Sequence, residues 1–187
     1  TCEKYVLQSA VMTASRAAAA KSPIPALEGL LLQAGSELRV TGYDLKKGIY
    51  TSAPADVAVS GEAVFGARLF TEMIRRLPDG QVTVEVSGDN TATVRCGRSE
   101  YTLQVMEATD YPELPTVDYA EAVTLPQKQL RDMIDETIFA VSQNEARPVY
   151  MGSLFEIAGG RLTVVSVDGY RMAVRRETLA DCPEKTQ

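Results

Sequence analysis

Basic side chains recur in three stretches whose apolar spacing predicts helices, near residues 4–20, 66–77 and 126–143. Arg68 and Arg75 lie seven residues apart, so a helix would present both on one face, and Lys21 follows the first stretch. Together the three stretches carry more cations than anions, although the third is mixed. Such cations can bind nucleic-acid phosphates, but they are also typical of ordinary solvated helix faces.

Catalytic groups are scarce. The sequence contains no histidine, the commonest general base and metal ligand, and its three cysteines, Cys2, Cys96 and Cys182, lie far apart. Asp132 and Asp135 form a carboxylate pair without a neighbouring base, and neither a glycine-rich phosphate loop nor a nucleophile elbow is present. We therefore expect no catalytic residue, metal or cofactor, and the odd number of cysteines favours a reducing compartment.

The whole chain is acidic, with a net charge of −6. As a uniform sphere it would avoid nucleic acid and anionic lipid, so any nucleic-acid binding must depend on the uneven distribution of charge. No apolar run approaches the ~18 residues of a membrane-spanning helix, and the residues before the first predicted helix do not show the charged-then-apolar pattern of a signal region. We expect no membrane association.

The elements that must position the basic residues are repeated. Leu30–Asp44, Val84–Arg98 and Leu154–Asp168 share one pattern, in which an apolar strand enters a glycine-containing turn and an alternating strand leaves it. A predicted helix precedes each, with a period of about 60 residues. The fold class is therefore α+β, and a tandem of helix-plus-sheet units builds an extended surface of the kind that binds polymers.

Alternation and turn residues set the predicted strands, which are Leu27–Gln33, Glu37–Tyr43, Lys46–Ala53, Val57–Val59, Gln81–Ser87, Thr91–Cys96, Glu100–Met106, Glu121–Leu125, Met151–Ile157, Arg161–Val167 and Tyr170–Arg176. Tyr111–Pro115, with two prolines among acidic residues, indicates a linker. Residues 1–115 then form a domain of two units, and residues 116–187 form half a domain of one unit. Since that unit lacks a partner and Thr1 is not an initiator methionine, we expect a fragment of a longer protein.

Several stretches occur in an order and spacing shared with one protein family. They are Lys21–Leu32 (KSPIPALEGLLL), Leu38–Leu45 (LRVTGYDL), Ala67–Pro78 (ARLFTEMIRRLP), Asp110–Leu114 (DYPEL), Arg147–Phe155 (RPVYMGSLF) and Ser166–Val174 (SVDGYRMAV). Together they resemble the bacterial DNA polymerase III beta subunit, the sliding clamp, over essentially the whole chain. The matching parts are its first domain and the first half of its middle domain, so its third domain is absent from this chain.

The resemblance implies a DNA-clamp fold of repeated helix-plus-antiparallel-sheet units, two per domain, with helices on the inner face of a head-to-tail dimeric ring. It implies a non-enzymatic processivity factor that encircles double-stranded DNA, contacts it without sequence specificity and tethers the replicative polymerase. The implied partners are a second copy of the full-length chain, and the polymerase catalytic subunit and clamp loader through short linear motifs. The implied location is the bacterial cytoplasm, at the nucleoid during replication.

The resemblance also implies three groups of site residues. The expected DNA-binding residues are Lys21, Arg68, Arg75, Arg76, Asn144, Lys128 and Arg131, of which Lys128 and Arg131 rest on helix polarity alone. The expected hydrophobic pocket for partner peptides comprises Tyr150, Val167, Gly169, Tyr170, Arg171 and Met172. The expected subunit interface comprises Leu69, Met73, Arg98, Glu100 and Leu103.

Each group has a simpler alternative. The cations can be solvated surface residues, Asp168-Gly169 can be a plain turn beside ordinary core, and Leu69 and Met73 can be a second flank of the core. Tyr150 and Tyr170 are aromatic where the family often has a smaller apolar residue and a histidine, so peptide preference is expected to differ. Besides the clamp, we consider a protein-interaction module unrelated to DNA and, least favoured, an enzyme.

Overall fold

In a computed structural model, which describes residues 1–117 and 122–180, the chain divides into two units, Thr1–Pro115 and Thr116–Gln187. The α-helices are α1 (Lys4–Ala14), α2 (Ala67–Arg76) and α3 (Gln127–Asp135). The strands are β1 (Cys2–Glu3), β2 (Gly29–Ala34), β3 (Leu38–Tyr43), β4 (Gly48–Ala53), β5 (Gly61–Gly66), β6 (Gln81–Ser87), β7 (Thr91–Cys96), β8 (Ser99–Met106), β9 (Leu154–Ala158), β10 (Arg161–Val167) and β11 (Met172–Thr178). Short 3-10 helices span Ser15–Ala17, Pro25–Glu28, Ala108–Asp110, Ile138–Ala140 and Pro148–Met151.

The first unit contains two copies of one motif, a strand followed by a helix and three strands. Its eight strands form an antiparallel sheet in the order β1-β6-β7-β8-β5-β2-β3-β4. The leading strand of each copy therefore pairs with strands of the other copy: β1 with β6, and β5 with β2. This exchange joins the copies through the sheet as well as through the core.

Both helices of this unit pack on the same face of the sheet. Leu7, Val11 and Ala14 of α1 and Phe70 and Ile74 of α2 are fully buried in one cluster with alternate residues of seven strands, β2 to β8. The spacing of these residues along each helix produces a single apolar stripe. A smaller cluster around Leu27, Tyr43, Val64 and Tyr111 covers the opposite face.

Among its described residues, the second unit holds the helix and three strands of the motif without a leading strand, and α3 lies against an antiparallel sheet ordered β11-β10-β9. Its core comprises Met133 of α3, Leu162 and Val164 of β10, and Leu179. Large apolar side chains such as Leu154 and Phe155 on β9 stay exposed. Across the described residues of both units, no helix is long and apolar enough to cross a membrane.

Two predicted helices end early. The first was expected to continue through alanines 17–20, but α1 ends at Ala14 and, after one 3-10 turn, Ala18 is extended. The backbone N–H of Ala19 instead donates to the carbonyl of Leu27, so a tertiary contact overrides helix propensity. The third was expected to reach residue 143, but α3 ends at Asp135. Thr137, whose hydroxyl donates to the Met133 carbonyl at 2.8 Å, is buried, whereas Ile138 is 48% exposed.

Strand predictions fail where pairing depends on the other copy of the motif. Neither β1 nor β5 was predicted, because neither follows from alternation, and both exist through partners distant in sequence. The predicted strand Val57–Val59 does not form. The predicted strand Glu121–Leu125 does not form at residues 122–125, while Glu121 lies outside the described residues. That segment corresponds to a leading strand, and the described part of the second unit offers it no second copy to pair with.

Candidate functional site

Helix α2 carries the best-defined group of basic residues. Arg68 and Arg75 share one exposed face, about two turns apart, opposite the side that buries Phe70 and Ile74. Arg75 donates to the Glu72 carboxylate at 2.7 Å, and Arg76 lies 3.6 Å from the same carboxylate. Among residues 1–117 and 122–180, no carboxylate forms an ion pair with Arg68. One anion therefore offsets three cations, and the helix remains positively charged.

Lys21 is exposed, as expected, but it is not at the end of a helix. It lies in the loop after the Ser15–Ala17 turn, since the chain is already extended at Ala18. The loop is held by hydrogen bonds from the Ser22 N–H to the Glu28 carboxylate and from the Ile24 N–H to the Ser22 hydroxyl. The side chain of Lys21 thus projects from a turn of defined conformation.

Helix α3 differs from α2 because its cations are paired individually. Lys128 donates to Asp132 at 2.8 Å and Arg131 to Asp135 at 3.4 Å, one turn along the helix in each case. The hydrogen bond to Asp132 raises the pKa of Lys128 above its ordinary value. These four exposed side chains carry no net charge, so the arrangement favours solvated helix pairs over a phosphate site.

Asn144 lies in the exposed loop after the Ile138–Ala140 turn. Its side-chain oxygen accepts from the Ala146 N–H at 3.0 Å, and its own N–H donates to the Ser142 hydroxyl at 3.1 Å. The side-chain oxygen therefore supports the loop itself. The side-chain amide group remains available for contact, because Asn144 is exposed.

The second unit contains a pocket of about 480 Å³ between two of its segments. It is lined by Ile138, Phe139, Val141, Ser142, Gln143, Asp168, Tyr170 and Arg171. Phe139 is 57% exposed and Tyr170 is fully exposed, so the pocket opens to solvent and presents aromatic surface there. Exposed aromatic side chains beside polar groups are typical of ligand-binding surfaces.

One wall of this pocket is the tight turn between β10 and β11. The Asp168 carboxylate accepts from the backbone N–H groups of Tyr170 at 2.9 Å and Arg171 at 3.0 Å, and from Arg171 Nε at 2.9 Å. These donors, the Tyr170 N–H first, hold the pKa of Asp168 below its ordinary value. The guanidinium of Arg171 lies over the Phe139 ring, 5.7 Å from its centre, which joins the two walls.

Only part of the predicted pocket lines this cavity. Tyr170 and Arg171 do, and Gly169 belongs to the same turn, whereas Tyr150, Val167 and Met172 are not among the lining residues. Six lining residues were not predicted. Asp168 was read only as part of a turn, and Ile138, Phe139, Val141, Ser142 and Gln143 were predicted to continue the third helix. The apolar run Ile-Phe-Ala-Val after Thr137 was the available signal, since it exceeds what one buried helix stripe accommodates.

The predicted subunit contact divides into exposed and buried residues. Leu69 is 64% exposed on α2, but Met73 is only 9% exposed and packs in the main core, so its side chain is not available to a partner. Arg98 is exposed in the turn before β8, Glu100 bonds Arg95 at 2.7 Å, and Leu103 is partly buried against the core. On β8, Val105 and Met106 pair with β5, and among residues 1–117 and 122–180 the earlier part of the strand pairs with β7 alone.

Family comparisons match both units. A model of the DNA polymerase III beta subunit N-terminal domain matches residues 1–115, and one of its central domain matches residues 124–186. The chain belongs to the DNA polymerase III beta subunit family. The α+β clamp fold expected from the sequence is confirmed by similarity to a Bacillus subtilis DNA polymerase sliding clamp. The TM-score is 0.95 at 27% identity, covering 100% of this chain and 51% of that one.

Relatives within the family carry the clamp name. A beta sliding clamp of Halalkalibacterium halodurans is 34% identical over 171 residues, covering 87% of this chain and 45% of the relative. A Pseudomonas aeruginosa sliding clamp, crystallised bound to griselimycin, has a TM-score of 0.90 at 28% identity, covering 99% of this chain and 51% of that one. This chain therefore spans about half the length of the clamps that it matches.

Proposed function

We propose that this protein is a sliding clamp, a non-enzymatic processivity factor that encircles duplex DNA and tethers the replicative DNA polymerase in the bacterial cytoplasm. Its membership of the beta subunit family and its similarity to sliding clamps over its whole length support this function. The single observation that carries the DNA contact is the exposed face of α2. There Arg68 and Arg75 lie together, and within the part of the chain that the structure describes only Glu72 forms an ion pair with either of them.

The proposed DNA contact is electrostatic and independent of sequence. Arg68, Arg75, Arg76 and Lys21 bind phosphates, which present the same charge at every register of the duplex. The clamp then has no energetically preferred position on the duplex, so its movement along DNA is not opposed. The acidic remainder of the chain repels DNA elsewhere, so binding is confined to the basic face. Asn144, Lys128 and Arg131 make weaker contributions, because the two cations are already paired with carboxylates.

The proposed partner contacts use two other surfaces. The 480 Å³ pocket receives a short peptide from the polymerase catalytic subunit or the clamp loader, with Phe139 and Tyr170 as its apolar contacts. A related clamp binds griselimycin, which is consistent with a ligand site in the family. A second copy of the full-length chain contacts Leu69 and the open edge of β8 through Arg98, Glu100 and Leu103. An unpaired strand edge is suited to extend a sheet between subunits.

Topological retention on DNA tests this function. The full-length protein, loaded by its clamp loader onto nicked circular DNA, is expected to remain bound after dilution into high salt and to be released once the DNA is linearised. Release that is indifferent to linearisation would contradict encirclement and favour an interaction module unrelated to DNA.

A matched pair of variants tests the basic face. Arg68→Ala with Arg75→Ala should reduce the slope of log K against log salt for duplex binding by about 2, because two phosphate contacts are lost. Lys128→Ala with Arg131→Ala removes the same number of cations from α3 and should change the slope by less than half as much. Equal effects of the two pairs would refute the assignment of the main contact to α2.

A further inference from the structure

The turn between β10 and β11 recurs between β3 and β4. Asp44 accepts from the N–H groups of Lys46 at 3.0 Å and Lys47 at 2.8 Å, and its second oxygen lies 3.5 Å from Lys47 Nζ. Asp168 makes the same contacts to Tyr170 and Arg171. In both turns the Asp N–H also donates to the carbonyl three residues later. The carboxylate therefore has a common role in shaping this turn.

The two turns differ in what the final cation does. The side chain of Arg171 continues from Asp168 to the ring of Phe139, which is on a separate segment of the second unit. Phe139 remains 57% exposed, so few other contacts hold its ring. The side chain of Lys47 is as exposed as that of Arg171, 60% against 59%, but among the described residues no aromatic ring lies under its ammonium group. Of these two turns, the one in the second unit thus connects a carboxylate, a cation and an aromatic ring beside the pocket.

We propose that Asp168 is a positioning residue for the peptide pocket. Its carboxylate holds the Arg171 guanidinium over the ring of Phe139, and this fixes the distance between the β10–β11 turn and the segment that carries Phe139. This inference rests on the proposed function, in which the pocket receives a partner peptide. The side chain of Asp168 is only 17% exposed, and its oxygens are occupied by three donors, so it acts through Arg171. Arg171, neutralised by this carboxylate, orders the wall and does not attract acidic groups of the peptide.

The two oxygens of Asp168 have different partners, so one substitution can keep the turn and remove the bond to Arg171. Asp168→Asn keeps an oxygen for the two backbone N–H groups, but its amide NH₂ then faces the Nε–H of Arg171, donor against donor. The turn survives and the Arg171 anchor is lost. Asp44→Asn makes the same chemical change in the equivalent turn of the first unit, whose residues do not line the 480 Å³ pocket, and is the matched control.

Binding of a fluorescein-labelled synthetic peptide, carrying the clamp-binding segment of the polymerase catalytic subunit, tests the proposal by anisotropy with the full-length protein. We expect Asp168→Asn to weaken binding about tenfold, as for loss of a charge-assisted hydrogen bond. Asp44→Asn should leave affinity within twofold of the wild type. If Asp168→Asn fails to fold, Arg171→Lys takes its place in the test. It lacks the Nε donor but leaves the turn untouched, and it should weaken peptide binding by a similar factor.

A double-mutant cycle with Arg171→Ala isolates the positioning role. If Asp168 acts through Arg171, Asp168→Asn has no further effect in the Arg171→Ala background. Unchanged affinity of Asp168→Asn, or effects that multiply in the double variant, would overturn the inference and leave the proposed peptide pocket standing. Absence of peptide binding by the wild-type protein would instead refute the pocket, and the inference with it.

Discussion

The first and third copies of the motif place the same strand and turn in different surroundings. Counting back from the turn aspartate, Val40 of β3 corresponds to Val164 of β10, and both are fully buried. Two residues before the aspartate, however, Gly42 lies against the end of α1, whereas Ser166 is buried and its hydroxyl bonds to that of Ser153 at 2.7 Å. In the first copy, the glycine has no side chain and lets β3 approach the end of α1 closely. In the third copy, the hydrogen-bonded pair of Ser166 and Ser153 occupies the corresponding position.

The buried cores of the two units also differ in extent. In the first unit the buried cluster spans two helices and seven strands, and in the second it involves α3, β10 and Leu179. Exposed Leu154 and Phe155 on β9 show how much apolar surface one copy leaves open. One helix-plus-sheet motif buries little, and a second copy is what closes the core.

The largest expected effect comes from filling the close approach. Gly42→Ala would place a Cβ 2.1 Å from the Ala14 carbonyl oxygen, and neither backbone can yield without moving α1. We expect a loss of about 3 kcal/mol in the free energy of unfolding of the first unit, at the upper end for overpacking. Chemical denaturation measures it. The matched variant Gly35→Ala, which meets nothing within 4 Å, should be nearly neutral; equal losses would contradict the close packing of β3 on α1.

A smaller pair of effects of opposite sign is expected from the second position of each turn. Leu45 has a φ of +71°, which is unfavourable for a branched side chain, whereas the equivalent residue Gly169 has a φ of +94°. Leu45→Gly should therefore stabilise the first unit by up to about 1 kcal/mol, and Gly169→Ala should destabilise the second by about 1 kcal/mol. Thermal unfolding checks both. Effects of the same sign would show that the two turns do not share a backbone conformation.

The smallest expected effect is at acid pH. Backbone N–H donors lower the pKa of both Asp44 and Asp168 from the ordinary value of 3.8. Each carboxylate thus contributes stability that is fully present above the unfolded-state value and is lost as pH falls through the folded-state value. Asp44→Asn and Asp168→Asn should each flatten the decline of stability below about pH 4, by similar amounts. Unfolding midpoints between pH 2 and 6 measure this. If only one variant flattened the decline, the two aspartates would not contribute equally to the stability of their turns.

Local patterns predicted the strands best where neighbours in sequence are also neighbours in space. The bounds of β6, β7 and β10 agree with those expected from alternation, since each belongs to a hairpin. Helix α2 also follows from its stripe of Phe70 and Ile74. The candidate site was predicted less completely: Arg68, Arg75, Tyr170 and Arg171 are exposed as expected, and their roles remain proposals.

By itself, the sequence determined the repeating motif, the hairpins, the helix stripes and the basic face of α2, because these depend on spacing within one element or between adjacent ones. Only the tertiary structure decided that α1 stops at Ala14, that Met73 is buried, that β1 and β5 are strands, and that Phe139 meets Arg171. Each of these outcomes depends on a partner distant in sequence. Local propensity is worth a few tenths of a kcal/mol per residue, and burial against such a partner is worth more.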